Sequence, residues 1–477
     1  MTAQLTFYGG AGTVTGTNFL LECGDPPVIG KVLVDCGIHE REEMCDPRNY
    51  GAFPYDPKTI DALFITHAHA DHIGRVPKLV RDGFRGVIYS TPATKDLSAV
   101  MFEDALYVMR QDTSARSCGM LYEKEDVAHA LSLWKTHEYH EPFTIGDTRL
   151  HDARGQAHVE FLDAGHILGS AMVRLMRNKP RYHPPSEELR GRRTIIFSGD
   201  LGNSPEPLLN DTESPEGANY LVMESVYGDR RHEGREERLA RLETAMKETY
   251  SRKGVLLIPS FSLERTQILL FEINRILEKG SVSRIPVYLD SPLAIRITEI
   301  FRRYANLMNS SAREHFAKGD PFSFPGLILT SEISESKAIH HSPNPKIIIA
   351  GAGMSHGGRV RRHEKRYLGD NHTTILFIGY QAPGSLGRRI QEGEKRVEID
   401  GEHITARAHI ETITGYSGHK DRDGLLDFAE SAGDALEKVF VTMGEPKSSL
   451  FLAQRVQDFL NIKAVVPDAG QSFEIEW

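Results

Sequence analysis

Short β-rich runs, nearly all continuous rather than alternating, recur along the whole chain, at 31–35, 62–65, 194–197, 220–223, 255–258, 346–349, 374–377 and 439–441. A strand with one face in water alternates polar and apolar side chains, whereas a continuous apolar run suits a strand covered on both faces. Stretches of helical periodicity lie between many of these runs, at 232–250, 264–279, 292–307, 422–432 and 447–460. Strands sheathed by intervening helices define an α/β protein.

At 477 residues the chain can bury more than one core, and two or three domains are expected. The polar, proline-bearing stretch 203–217 reads as a crossing between domains, and the glycine- and charge-rich stretch 380–397 as a second. The expected division is 1–207, 208–387 and 388–477, the middle part inserted and the last returning to the first. Lysine and arginine number 57 against 66 aspartate and glutamate, a formal charge of −9. That balance argues against coating nucleic acid through overall charge, so a polyanion needs a local basic patch. Cys23, Cys36, Cys45 and Cys118 form no C-x-x-C pair and read as four reduced thiols. Residues 1–8 lack the basic start and long apolar run of a signal peptide and read as a strand. No apolar run approaches bilayer length, so the expectation is a soluble, cytoplasmic protein without a membrane partner.

Directly after the run 62–65 comes Thr66-His67-Ala68-His69-Ala70-Asp71-His72. A loop held at a strand end can aim several side chains at one point. Imidazole and carboxylate are ligands that zinc accepts, and catalytic zinc keeps one position open for water. These four candidate ligands are packed too tightly to meet on one tetrahedral ion, so a second ion or ligands from elsewhere are needed. His166 in Asp163-Ala-Gly-His-Ile-Leu-Gly-Ser170 and Asp200 in Thr194-Ile-Ile-Phe-Ser-Gly-Asp200 meet that need, each in a glycine-flanked loop.

In that order, Asp35 at a strand end, His67-x-His69-x-Asp71-His72, His166 and Asp200 resemble the signature motifs of the metallo-β-lactamase superfamily. Glu224 in Met223-Glu-Ser-Val-Tyr-Gly-Asp229 is similar to the acidic motif A of its β-CASP nuclease branch, and His419 in Gly415-Tyr-Ser-Gly-His-Lys-Asp421 to that branch's motif B. The branch includes RNase J and the endonuclease of the cleavage and polyadenylation specificity factor. Further similar stretches at 259–267, 289–293, 351–359 and 379–388 extend the likeness over nearly the whole chain.

The resemblance implies a metallo-β-lactamase αββα sandwich with an inserted α/β β-CASP domain. It also implies a zinc-dependent ribonuclease that hydrolyses single-stranded RNA in processing or decay. On that reading His67, His69 and His166 hold one zinc, Asp71 and His72 the other, and Asp200 bridges them. Asp35 orients a ligand without binding metal. His419 is the general acid, Glu224 holds its imidazole, and Asp71 counts with them as catalytic. Arg265, Gly353, Ser355, Arg359 and Arg388 are the candidate substrate contacts. Gly351-Ala-Gly-Met-Ser-His-Gly-Gly358 offers backbone N–H groups that can cradle a phosphate, and Arg359-Val-Arg-Arg-His-Glu-Lys-Arg366 is either a local basic patch or a solvated helix face.

One position departs from the pattern. Where the branch carries a histidine before Gly444-Glu445, this chain has Met443, a soft thioether that substitutes poorly for imidazole on zinc. The expectation is one tightly bound zinc and a second whose occupancy hangs on that position. A catalytically weak β-CASP homologue serving as an RNA-binding scaffold and a zinc hydrolase of another phosphodiester are the alternative readings. A homodimer is compatible with all three.

Overall fold

In the computed structural model, which describes residues 2–24, 30–39, 46–111, 118–145, 157–177, 193–232, 237–379, 381 and 384–477, the continuous β-rich runs are central strands. The chain divides into two compact units. The first comprises Met1–Glu206, Asn210–Arg231 and Gly418–Trp477, and the second Pro207–Leu209 and His232–Ser417. By this division the long excursion starts after Arg231 and ends at Ser417, later in the chain than the sequence cues near 207 and 387.

The first unit holds two seven-stranded sheets. In spatial order one runs Ser472–Glu476, Thr2–Gly9, Asn18–Cys23, Gly30–Val34, Ala62–Phe64, Val87–Ser90, Trp134–Thr136. The other runs Lys463–Val465, Lys438–Thr442, Tyr220–Glu224, Arg193–Phe197, Ala171–Arg177, Ala157–Asp163, Phe143–Thr144. Phe7, Phe19 and Phe64 from the first sheet join Phe161, Phe197, Val222 and Phe440 from the second in one buried cluster, the filling of a sandwich. The next residues along the same strands face the other way. Leu221, Met223, Val439 and Val441 pack with Leu425 and Phe428 of helix Arg422–Glu430 and with Leu452 and Val456 of helix Pro446–Leu460. Successive side chains of a strand point to opposite faces, and here both faces are dry, which explains why these runs do not alternate.

The second unit is built on a six-stranded parallel sheet in the order Leu327–Leu329, Val287–Asp290, Lys346–Ala350, Val255–Pro259, Thr374–Phe377, His409–Thr412. A two-stranded antiparallel ribbon, Arg396–Ile399 with Glu402–Thr405, accompanies it. The helix expected over 232–250 is Arg238–Arg252, with 233–236 outside the described residues, and the one expected over 292–307 ends at Arg303. The expectation of four reduced thiols needs correction. Cys23 and Cys36 are free and buried, but Cys118 is disulfide-bonded, and Cys45 lies outside the described residues. Among the described residues no helix is long and apolar enough to cross a membrane.

Candidate metal centre

Strand direction brings the candidate ligands together. Gly30–Val34 and Ala62–Phe64 are parallel neighbours, as are Arg193–Phe197, Tyr220–Glu224 and Lys438–Thr442. Ala157–Asp163 is antiparallel to Ala171–Arg177, itself antiparallel to Arg193–Phe197, so it runs the same way as the latter. Asp35, His67, His166, Asp200 and Glu224 therefore all lie at or just beyond the carboxyl ends of strands, the usual place for a site in α/β sheets. Two glycines permit the close approach. A Cβ on Gly199 (φ +54°) would sit 2.7 Å from the Thr66 Cβ, and one on Gly202 would sit 1.9 Å from the Gly165 carbonyl oxygen.

At this edge, His67 Nε2 lies 3.1 Å from His69 Nδ1 and 3.4 Å from Asp200 Oδ2. His166 Nε2 lies 3.3 Å from His69 Nδ1 and 3.5 Å from Asp200 Oδ2. All four donor atoms fall within 4.8 Å of one another. Two donors each bound about 2.0–2.1 Å from a tetrahedral zinc sit about 3.3 Å apart, so the cluster has the edge lengths of such a site. Burial holds the His69 and His166 imidazoles well below their usual pKa, which keeps them in the neutral form a metal ion needs.

The tautomers follow from the surrounding acceptors. His166 Nδ1 donates to the Gly418 carbonyl at 3.0 Å, leaving Nε2 bare. Asp35 Oδ2 accepts from Thr66 Oγ1 at 2.8 Å and from His72 Nδ1 at 2.7 Å, and Asp35 Oδ1 accepts from Thr66 N at 2.8 Å. Since the Thr66 hydroxyl proton goes to Asp35, its oxygen accepts from His67 Nδ1 at 3.0 Å and leaves His67 Nε2 bare. One buried carboxylate thus orients two histidines, one of them through Thr66. Sequence reasoning missed Thr66 and the Gly418 carbonyl. The available signal was adjacency, since each directly precedes a candidate functional histidine.

A second donor set lies alongside. His72 Nε2 is buried without a hydrogen-bond partner, 3.4 Å from Asp200 Oδ1 and 3.9 Å from Asp71 Oδ2. Asp200 thus turns one oxygen to each set. Burial opposes charge on His72, but Asp200, Asp35 and Asp71 outweigh it and hold its pKa well above the usual value. The same carboxylates favour a metal cation at that nitrogen. Met443 is 1% exposed, with its side chain in the core between the sheets.

At the rim, His419 Nδ1 lies 3.1 Å from Glu224 Oε1 and 4.0 Å from Asp200 Oδ2, and its ring centroid is 4.7 Å from that of His166. Glu224 is fully buried and also accepts from Leu201 N at 2.7 Å.

The candidate substrate residues all belong to the second unit. The Arg359 guanidinium donates to Asp290 Oδ1 at 2.7 Å, to Thr330 O at 2.8 Å and to Ser331 O at 2.5 Å. Arg388 pairs with Glu392 at 2.7 Å. Ser355, at φ +60°, buries its hydroxyl against Glu364, and Gly353 lies so close to Phe261 that a Cβ would sit 2.6 Å from its ring. Arg265 opens helix Arg265–Glu278. Within the basic run, Arg361 pairs with Asp400 and Lys365 with Glu402, while Val360, His363, Glu364 and Tyr367 form the buried side of helix Val360–Tyr367.

A two-sheet sandwich with a histidine–aspartate cluster at its strand ends is the architecture of a metallo-β-lactamase-type hydrolase. Family profiles agree with that class. The metallo-beta-lactamase superfamily matches residues 29–105, the Beta-Casp domain 266–390, and the Zn-dependent metallo-hydrolase RNA specificity domain 403–467. Ribonuclease TTHA0252 of Thermus thermophilus is 36% identical over 448 residues, covering 94% of each chain. Transcription termination factor FttA of Pyrococcus abyssi is 31% identical, covering 92% of this chain and 66% of that protein, and FttA of Methanosarcina mazei is 29% identical, covering 96% and 70%. A crystal structure of a protein of unknown function from Enterococcus faecalis V583 shares the fold at a TM-score of 0.56, with 13% identity and full coverage of both chains. The chain belongs to the β-CASP branch of the metallo-β-lactamase superfamily.

Proposed function

We propose that this chain is a zinc-dependent ribonuclease that hydrolyses phosphodiester bonds of single-stranded RNA. The observation that carries the reading is the convergence of His67, His69, His166 and Asp200 within 4.8 Å, with His419 held at their rim by Glu224. The similarity to a ribonuclease over 94% of both chains supports RNA as the substrate.

His67 Nε2, His69 Nδ1, His166 Nε2 and Asp200 Oδ2 would hold the tightly bound zinc. Asp71, His72 and Asp200 would offer a weaker second site without an imidazole from position 443. Zinc in such a cluster supplies a Lewis acid and lowers the pKa of water toward neutrality. Asp35 and Thr66 fix the rings of His67 and His72, and the Gly418 carbonyl fixes that of His166. With Nδ1 held by Glu224, His419 presents Nε2 to protonate the leaving oxygen of the cleaved strand.

The test is His419→Ala, assayed on end-labelled single-stranded RNA and on a bis-nitrophenyl phosphodiester, whose leaving group needs no proton. RNA cleavage is expected to slow by about 10²–10⁴-fold, the ester to slow far less, and zinc content to stay at the parent level. Equal losses on both substrates would remove the general-acid role, and loss of zinc would make His419 a ligand.

A further inference from the structure

In a chain of formal charge −9, cationic side chains gather on one side of the first unit. Arg230 Nε lies 2.9 Å from Asp229 Oδ1, and Lys447 Nζ 3.1 Å from Asp229 Oδ2. Arg455 Nη2 and Arg422 Nε lie 3.0 Å and 3.4 Å from Asp423 Oδ1, and Arg231 reaches the other oxygen of the same carboxylate. Five cations therefore surround two carboxylates. With the neighbouring Asp421, whose Oδ1 accepts from the N–H groups of Asp423 and Gly424, five cations stand against three carboxylates. Arg422 and Arg455, 28% and 19% exposed with their Nε atoms buried, brace the fold through Asp423, whereas the Lys447 and Arg231 side chains are 85% and 65% exposed and face solvent.

Backbone contacts tie the cluster to the catalytic rim. Arg422 N donates to Arg230 O at 3.1 Å, and Tyr227 forms an isolated β-bridge with Asp421, two residues beyond His419. The rings continue the line. Tyr227 lies 6.1 Å from the His419 ring, and the Arg230 guanidinium 5.7 Å from the Tyr227 ring. At the far end Arg455 stands 5.4 Å from the ring of Phe459, which is 70% exposed. Basic groups that track a phosphate backbone, interleaved with aromatic faces on which bases stack, are how single strands are held without reading their sequence.

The geometry points to a track for single-stranded RNA that leads from the cleavage site past His419, over Tyr227 and Arg230, to the Arg455–Phe459 platform. It rests on the ribonuclease reading and adds to it the surface that carries the strand beyond the scissile bond.

The experiment uses the zinc-loaded full chain and fluorescence anisotropy with a non-hydrolysable RNA analogue of about 20 nucleotides and with its tetranucleotide. The triple variant Arg230→Gln/Arg231→Gln/Lys447→Gln removes three phosphate contacts, so the log–log salt slope for the long strand should fall in magnitude by about 2, near 0.7 per contact. At about 0.15 M salt the long strand should bind roughly 10-fold more weakly and lose most of its advantage over the tetranucleotide. Phe459→Ala should weaken it about 5-fold or more at every salt concentration, since stacking is not screened. Lys447→Gln alone, at a side chain 85% exposed, guards against a triple variant that fails to fold and should weaken long-strand binding about 3-fold. Unchanged affinity and slope in these variants, with a parent that cleaves RNA, overturns the track alone and is also what a protein-docking surface would give. A parent that neither binds nor cleaves single-stranded RNA overturns both the track and the ribonuclease reading.

Discussion

Asp35→Asn tests whether a residue that touches no metal-facing atom governs the metal site. The parent carboxylate accepts three hydrogen bonds, from Thr66 N at Oδ1 and from Thr66 Oγ1 and His72 Nδ1 at Oδ2. With the amide oxygen kept on Thr66 N, the amide nitrogen replaces Oδ2 and presents a donor to two donors. His72 must then lose its Nδ1 bond or shift the proton to Nε2, the atom that faces Asp200. Thr66 must rotate its hydroxyl, which frees His67 Nδ1 to change tautomer as well. Each mispaired buried donor costs about 1–3 kcal/mol. Rotation of Thr66 relieves part of this, so we expect a net loss of about 1.5–3 kcal/mol, or about 10–100-fold in zinc affinity, the range typical of groups that orient metal ligands. Competition with a chelator of known affinity, followed by metal analysis, reads this directly without relying on activity. Unchanged affinity for both ions in a folded Asp35→Asn protein would refute the tautomer argument.

Met443→His should raise the zinc retained after mild chelation from one ion toward two per chain; two ions in the parent would show that position 443 costs the second site nothing. Phe197→Ala, in the cluster between the two sheets, should destabilise the first unit by about 3–5 kcal/mol in denaturant unfolding, and a loss below about 1 kcal/mol would contradict the sandwich core. Burial pushes the Glu364 carboxyl from 4.5 up to about 8, so the folded chain keeps a proton there that the unfolded chain has released. Stability from this group is full below about pH 4.5 and falls by up to about 1.4 kcal/mol per pH unit as pH rises toward 8. Glu364→Gln stays neutral and should gain on the parent through that window, whereas parallel stability–pH curves would show that Glu364 is ionised in the folded state.

The α/β class was readable because sequence records burial on both faces of a strand directly, as at 220–223 and 439–441, where neighbouring residues enter different cores. The convergence of His67, His69, His166 and Asp200 was legible because the His67–His72 motif is compact in sequence and the loops carrying His166 and Asp200 stand out by their glycines. The four reduced thiols were not, because pairing depends on which cysteines the fold brings together and Cys118 is bonded. The basic run after Arg359 looked like a patch because charge is visible in sequence and its partners are not. Asp290, Asp400 and Glu402, distant in the chain, engage Arg359, Arg361 and Lys365.

The sequence by itself determined which residue types could ligate zinc and which runs must be buried, since both depend on side-chain chemistry and short-range order. Only the tertiary structure decided how those residues act. Asp35 and Thr66 select the tautomers of His72 and His67, Asp200 divides its two oxygens between two donor sets, and Met443 points into a hydrophobic core. Those outcomes rest on distances between segments tens to hundreds of residues apart, and such distances exist only once the parallel strands have brought their carboxyl ends to one edge.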